Sequence, residues 1–156
     1  MNRLQNEARK LMKEKAQHEK EGIVIQPTRP NDLSQWEIII SFSDVNSLYC
    51  NQKYRIIADI PATYPHQCPK CKFDSHIFHP NINADNGKIC LNIINEENNE
   101  WTAVMSLSQI AYGLQSLVYG PNLDSPLNLD AGSIFRNQDL RAAKSLINYF
   151  YALNQK

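Results

Sequence analysis

Residues 79–93, HPNINADNGKICLNI, set a single cysteine, Cys90, directly behind a polar loop rich in Asn, with one Pro and one Gly. Such composition forms turns, and a thiol held at the end of a turn can act as a metal ligand or as a nucleophile. Three chemistries fit. The first is metal binding: Cys68 and Cys71 form a C-x-x-C pair with His66, His76 and His79 nearby, and thiolate with imidazole is a zinc-ligand set. A lone C-x-x-C is a weak signal, and two small residues flanking a Pro at a strand edge explain it as well. No metal ligand is assigned, and a non-catalytic zinc-binding module stays as an alternative.

The second chemistry is a hydrolytic thiol site in which Cys90 uses His79 as base and an Asn to orient it. No local hydrolase signature surrounds Cys90, and a ring that hydrogen-bonds the loop backbone is the preferred reading of His79. The third is an acyl carrier: a thiol that accepts an acyl group from one partner and offers it to another, with no base beside it to invite water. That chemistry needs an amide donor for the tetrahedral oxyanion, and Asn81 is the candidate.

These residues must be held by elements that the hydrophobic pattern reveals. Leu4, Ala8, Leu11 and Met12 recur at helical spacing among Arg3, Lys10, Lys13 and Lys20, which predicts an amphipathic first helix ended by Gly22. From Ile23 the period changes to two: Trp36, Ile38, Ile40 and Phe42 alternate, as do Tyr54, Ile56, Ala58 and Ile60. Residues 70–73 predict a further short strand after the bend YPHQCP. Ser106 and Gln109 have capping-box spacing ahead of a helix stopped by GPN at 120–122, and Leu140, Ala143, Leu146, Ile147 and Phe150 predict a tail helix. Helix, strands, then helices is the order of an α+β domain with an antiparallel meander.

Composition narrows the function classes. The chain has 156 residues, the size of one compact domain spanning 1–156. Its 16 basic and 16 acidic residues cancel, which argues against a dedicated nucleic-acid partner. No apolar run approaches the roughly 18 residues of a membrane span, and the N-terminus is charged rather than signal-like, so an intracellular, soluble protein with four free thiols is expected.

HPN at 79–81, GKICLNI at 87–93, Trp101 and PNLDSPLN at 121–128 together resemble the active-site region of ubiquitin-conjugating enzymes, and the likeness extends over nearly the whole chain. The resemblance implies an N-terminal helix, a four-stranded antiparallel meander and four main helices, with ubiquitin carried as a thioester on Cys90. It implies that Asn81 supports the loop and the oxyanion, and that Asn83 and Ser125 line the acceptor groove. His79, Pro80, Leu91, Asn92 and Trp101 would shape it. It places Arg3, Lys10 and Lys13 on the surface that meets the activating enzyme, and His66, Ala103 and Val104 on the loops that meet a RING-type ligase. No cofactor is implied, since ATP is used only by the upstream activating enzyme.

DLSQWE at 32–37, DSPLNLDAGSIFRNQD at 124–139 and INYFYA at 147–152 resemble the peroxisomal members most. Those members imply a cytoplasmic protein, peripheral on the cytosolic face of the peroxisomal membrane and held there by a membrane-anchored recruiting protein. YPH at 64–66, CLNI at 90–93 and YGLQ at 112–115 also resemble the neddylation-type enzymes, which makes a conjugating enzyme for that ubiquitin relative the alternative. Three features depart from the family. Its paired prolines after the YP bend are reduced to Cys68-Pro69, Ala103 stands where Pro is usual, and NEENNE lengthens the span from Cys90 to Trp101.

Overall fold

The computed structural model describes residues 2–94 and 100–156; residues 95–99, most of the NEENNE insert, lie outside them. Helix α1 (Arg3–Lys20) starts at a reciprocal cap, in which the Asn2 side chain accepts from the Gln5 N–H and the Gln5 side chain accepts from the Asn2 N–H. Leu4, Ala8 and Leu11 pack inward. Met12, expected on the same stripe, is 78% exposed. At 100° per residue it lies about 80° round the helix from Leu4, while Glu7 and His18 continue the buried face.

Strands β1 (Ile23–Arg29), β2 (Asp32–Ser41), β3 (Lys53–Asp59) and β4 (Lys70–Phe73) form one antiparallel sheet in chain order. The register places Ile38 between Ile25 and Ile56, and Trp36 beside Ala58. Trp36, Ile38, Ile40, Tyr54, Ile56 and Ala58 are therefore on one face, and all are buried. Each large apolar side chain buried there is worth ~2 kcal/mol relative to exposure. The other face mixes Val24, Ile39 and Ile57 with a polar cluster: Gln26 and Arg55 both donate to Glu37, and these bonds, Gln26 first, lower the Glu37 carboxyl below its usual range.

Helix α2 (Leu107–Tyr119) crosses β1 and β2, sinking Ile110, Ala111 and Leu114 into the core. The Ser106 and Gln109 cap forms at its start, as their spacing predicts. Periodicity indicated one tail helix, whereas the structure has two, α3 (Leu129–Arg136) capped by Asn128 and α4 (Leu140–Ala152) capped by Asp139. Gln138, at φ 53°, turns the chain between them.

A buried carboxylate ties the first helix to the loops beyond the sheet. Glu7, 6% exposed, accepts from the Tyr64 hydroxyl at 2.6 Å and from the Leu107 N–H at 2.5 Å. The Arg3 guanidinium lies 3.5 Å from the same carboxylate and donates to the Ala103 and Met105 carbonyls at 2.6 Å each. Charge-assisted bonds to fixed partners are what make a buried carboxylate tolerable.

After β4 the chain makes an excursion and returns along that strand, where the Phe73 N–H donates to the Gly87 carbonyl at 3.0 Å and Lys88 bridges Lys72. Gly87 has φ 71°, and a Cβ there would stand 2.1 Å from the Phe73 carbonyl oxygen. Both partners are backbone, so neither can yield. Gly87→Ala should cost on the order of 3 kcal/mol and lower Tm by roughly 6–12 °C, measured by thermal and urea unfolding. Gly120→Ala is the control, because its new Cβ would lie 3.7 Å from its nearest neighbour, and it should change Tm by no more than about 3 °C.

Candidate active site

Cys90 sits on a short hairpin. Ile82 pairs with Ile89, the Cys90 N–H donates to the Asn81 carbonyl and the Asn83 N–H to the Lys88 carbonyl, both at 2.9 Å. The connecting turn explains the Asn-rich sequence. The Asn83 side-chain oxygen accepts from the N–H groups of Asp85 and Asn86, and the Asn86 side-chain oxygen accepts from that of Lys88. Ile82 and Ile89, 0% and 6% exposed, point into the core. Alternation then projects Asn81, Asn83, Lys88 and Cys90 from the opposite face, with Asn81 across from Cys90 and Asn83 across from Lys88. The Cys90 residue is half-buried, and among the described residues its thiol has no hydrogen-bond partner.

His79 is fully buried and both its ring nitrogens are engaged. Nδ1 accepts from the Asn81 N–H at 3.0 Å, which leaves the proton on Nε2, 2.9 Å from the Leu117 carbonyl to which it donates. Burial lowers its pKa to about 4, so the imidazole is neutral near pH 7 and has no free lone pair with which to serve as base. The hydrolytic arrangement is therefore not formed. One residue earlier, the Phe78 carbonyl accepts from the Tyr49 hydroxyl at 2.7 Å.

A second loop is strapped to this segment. The Asn81 side-chain oxygen accepts from the Asn122 N–H at 2.8 Å, and its Nδ2 donates to the Asn122 carbonyl at 2.7 Å. The Pro80 carbonyl accepts from the N–H groups of Leu127 and Asn128 at 2.9 and 3.1 Å. Residues 122–128 thus arch between two anchors beside the hairpin, with Ser125 exposed on the span. Helix α3 props the arch: a Cβ on Gly132 would come within 2.8 Å of two Pro126 ring carbons, and the Arg136 Nε donates to the Leu123 carbonyl at 3.1 Å.

On the other side of Cys90, Leu91 lies against α2 where Gly113 has no side chain, since a Cβ there would be 3.5 Å from Leu91 Cδ2. The Asn92 side chain donates to the Glu100 carboxylate at 3.2 Å and the Glu100 N–H to the Asn92 carbonyl at 3.1 Å, closing the base of the insert. Trp101, 8% exposed, donates from Nε1 to the Pro65 carbonyl at 2.7 Å.

The residues expected at partner surfaces lie away from the hairpin. Lys10 and Lys13 are exposed on α1, Lys10 beside Glu14 at 3.8 Å, whereas Arg3 is half-buried in the Glu7 cluster. His66 and Val104 are exposed and Ala103 is half-buried, on two loops joined by the Trp101 bond. Burial pushes the Cys71 thiol up to about 12, which opposes the thiolate form that zinc needs. Among the described residues no three His, Cys, Asp or Glu side chains stand together as a metal site. Sequence reading missed Asn122, whose contribution is backbone, and Lys88, whose place beside Cys90 follows from the period of two.

A ubiquitin-conjugating enzyme family model matches residues 3–149. The ubiquitin-conjugating enzyme E2-21 kDa of Saccharomyces cerevisiae is 37% identical over 86% of this chain and 74% of that protein. Ubiquitin-conjugating enzyme E2 pex4 of Dictyostelium discoideum is 36% identical over 94% and 97% respectively. The solved H. polymorpha ubiquitin conjugating enzyme Pex4p, crystallised with the soluble domain of Pex22p, superposes with a TM-score of 0.85 at 27% identity, covering 96% of this chain and 94% of that one. Relatives named as Nedd8-conjugating enzymes match a smaller share, between 67% and 71% of the chain. Matched from its first helix into its last, and folded as these enzymes are, the chain belongs to the ubiquitin-conjugating enzyme family.

Proposed function

We propose that this enzyme takes ubiquitin as a thioester on Cys90 from an activating enzyme and passes it, with a RING-type ligase, to a substrate amine or other nucleophilic side chain. The observation that carries the reading is the hairpin, which presents a half-buried thiol with no hydrogen-bonded base among the described residues, opposite an asparagine clamped by Asn122. Exchange of one thioester for another is close to neutral in free energy. The step therefore needs no nucleotide or cofactor on this chain, and ATP is consumed upstream.

Asn81 spends one Nδ2 hydrogen on Asn122 and keeps a second. That hydrogen is the donor for the oxyanion that forms when an amine attacks the Cys90 acyl carbon. Asn83, Leu91, Asn92 and Ser125 border the approach, with His79, Pro80 and Trp101 holding its walls. Lys10 and Lys13 steer the activating enzyme, and Arg3 acts chiefly by shaping the 103–105 loop. His66, Ala103 and Val104 form a single ligase-facing surface, because the Trp101–Pro65 bond and the Glu7 cluster join the two loops.

The whole-length likeness to Pex4 enzymes supports a peroxisomal role over the narrower Nedd8-type matches. Among the described residues no helix is long and apolar enough to cross a membrane. A membrane-anchored recruiting protein, like the partner whose soluble domain accompanies the H. polymorpha relative, would hold this catalytic core on the cytosolic face.

With activating enzyme, ATP and ubiquitin, the protein should form an adduct that thiols reduce. Cys90→Ala should abolish it, and Cys90→Ser should give an ester that thiols leave intact; an adduct surviving Cys90→Ala refutes the assignment. Asn81→Ser should leave charging largely unchanged while slowing discharge to free lysine on the order of 100-fold in single-turnover assays. Equal loss in both steps would make Asn81 a loop strap alone. Replacing Lys10 and Lys13 together by Ala should slow charging about 3- to 10-fold at low salt, less at high salt, without shifting Tm. Arg3→Ala should lower Tm as well, because it frees two carbonyls and the Glu7 carboxylate.

A further inference from the structure

The outer rim of the hairpin carries charge that the mechanism above leaves unused. Lys72 on β4 and Lys88 on the hairpin are bridge partners, set directly opposite each other on antiparallel backbone. Both are exposed, and like charges in that position destabilise a sheet. The other cross-strand neighbour of Lys72 is Ile57 on β3, which offers no compensating charge. Among the described residues neither lysine pairs with a carboxylate. Asp74, two residues beyond Lys72, is held by Arg55, and Asp59 lies one row away, across from Lys70. The pair also stands beside the thiol. Ile89 turns into the core, so Lys88 and Cys90 project to the same side, with Cα atoms about 7 Å apart at strand rise. Lys72, one strand spacing to the side of Lys88, lies about 8 Å from Cys90. The arch across the site carries Asp124 and Arg136, one charge of each sign, which leaves the two lysines to set the field at this rim.

We propose that Lys72 and Lys88 form a docking edge for an acidic stretch of the acceptor polypeptide, so that the enzyme favours amines flanked by Asp or Glu. This rests on Cys90 being the thioester site and concerns which acceptors it serves. With the acceptor amine at the Cys90 acyl carbon, an extended chain advancing about 3.3 Å per residue sets carboxylates two or three positions away at about 7–10 Å, over the two lysines. Their flexible four-carbon stems let both ammonium groups swing toward one carboxylate. A carboxylate seated there meets two cations and relieves the repulsion between them, so its binding is favoured twice. The same field steers an acidic segment toward this edge during encounter. Exposed ion pairs are individually weak, so the preference is about 3- to 10-fold rather than absolute.

The test charges the full chain with ubiquitin, stops the activating enzyme by chelating magnesium, and adds synthetic acceptor peptides at sub-saturating concentration. Each peptide has a blocked N-terminus and a single lysine, flanked at the second and third positions on both sides by Glu, Gln or Arg. Single-turnover discharge at low salt should be about 3- to 10-fold faster to the Glu peptide than to the Gln peptide, and slowest to the Arg peptide. The spread should shrink at about 0.5 M salt. Lys72→Glu combined with Lys88→Glu should invert the order and make the Arg peptide fastest. A misfolded enzyme cannot produce that inversion, and ratios taken on a preformed thioester exclude any change in charging. Lys53→Glu, an exposed change four residues from Ile57 along β3, is the control for overall charge and should keep the Glu preference. Equal rates for the three peptides, a Glu preference that survives the double variant, or one that Lys53→Glu removes would each overturn the docking edge and leave the Cys90 reading intact. Absence of any reducible adduct would overturn both.

Discussion

Two hydrogen bonds between the Asn81 carboxamide and the backbone of Asn122 join the two loops that border the candidate site. One loop descends from the sheet and carries the thiol; the other follows α2 and carries Ser125. Where the two loops meet, side-chain amides and a few backbone bonds hold them to each other. A carboxamide suits this role because it offers an acceptor and a donor in one plane, matching the N–H and C=O of one peptide residue. An aspartate would present two acceptors and repel the Asn122 carbonyl.

The groups that brace that strap are neutral. His79 works as an uncharged bridge between the Asn81 N–H and the Leu117 carbonyl, so α2 supports the loop through a ring rather than through an ion pair. Three more asparagines shape the rim through local bonds, Asn83 and Asn86 within the turn and Asn92 at the base of the insert. A thiol carrying an acyl group, as proposed for Cys90, would benefit from such surroundings. Amides and backbone groups can steady a developing oxyanion without drawing a proton from a water molecule.

Much of this could be read from the residues themselves. The alternation of Trp36, Ile38, Ile40 and Phe42 became a buried sheet face, and the Ser106 and Gln109 spacing became the cap of α2, because both are local signals acting within a few residues. Helix α3 was harder to see, since eight residues with two buried small ones, Ala131 and Gly132, carry little periodic apolar signal. Arg3 was legible as a cation on a helix but not as the clamp of two carbonyls a hundred residues away. The Asn81–Asn122 strap was equally hidden, because one of its partners is backbone and leaves no mark on residue type.

Burying a neutral imidazole at the centre of the site also makes the fold sensitive to acid. In the unfolded chain His79 would bind its proton near pH 6.5, whereas in the folded enzyme it does so only near 4. As pH falls between those values the unfolded state gains a proton that the folded state refuses. Stability present above pH 6.5 is therefore progressively withdrawn down to about pH 4, where the folded ring too becomes protonated. The ring that keeps the loops in register at neutral pH is thus a group through which acid would loosen them.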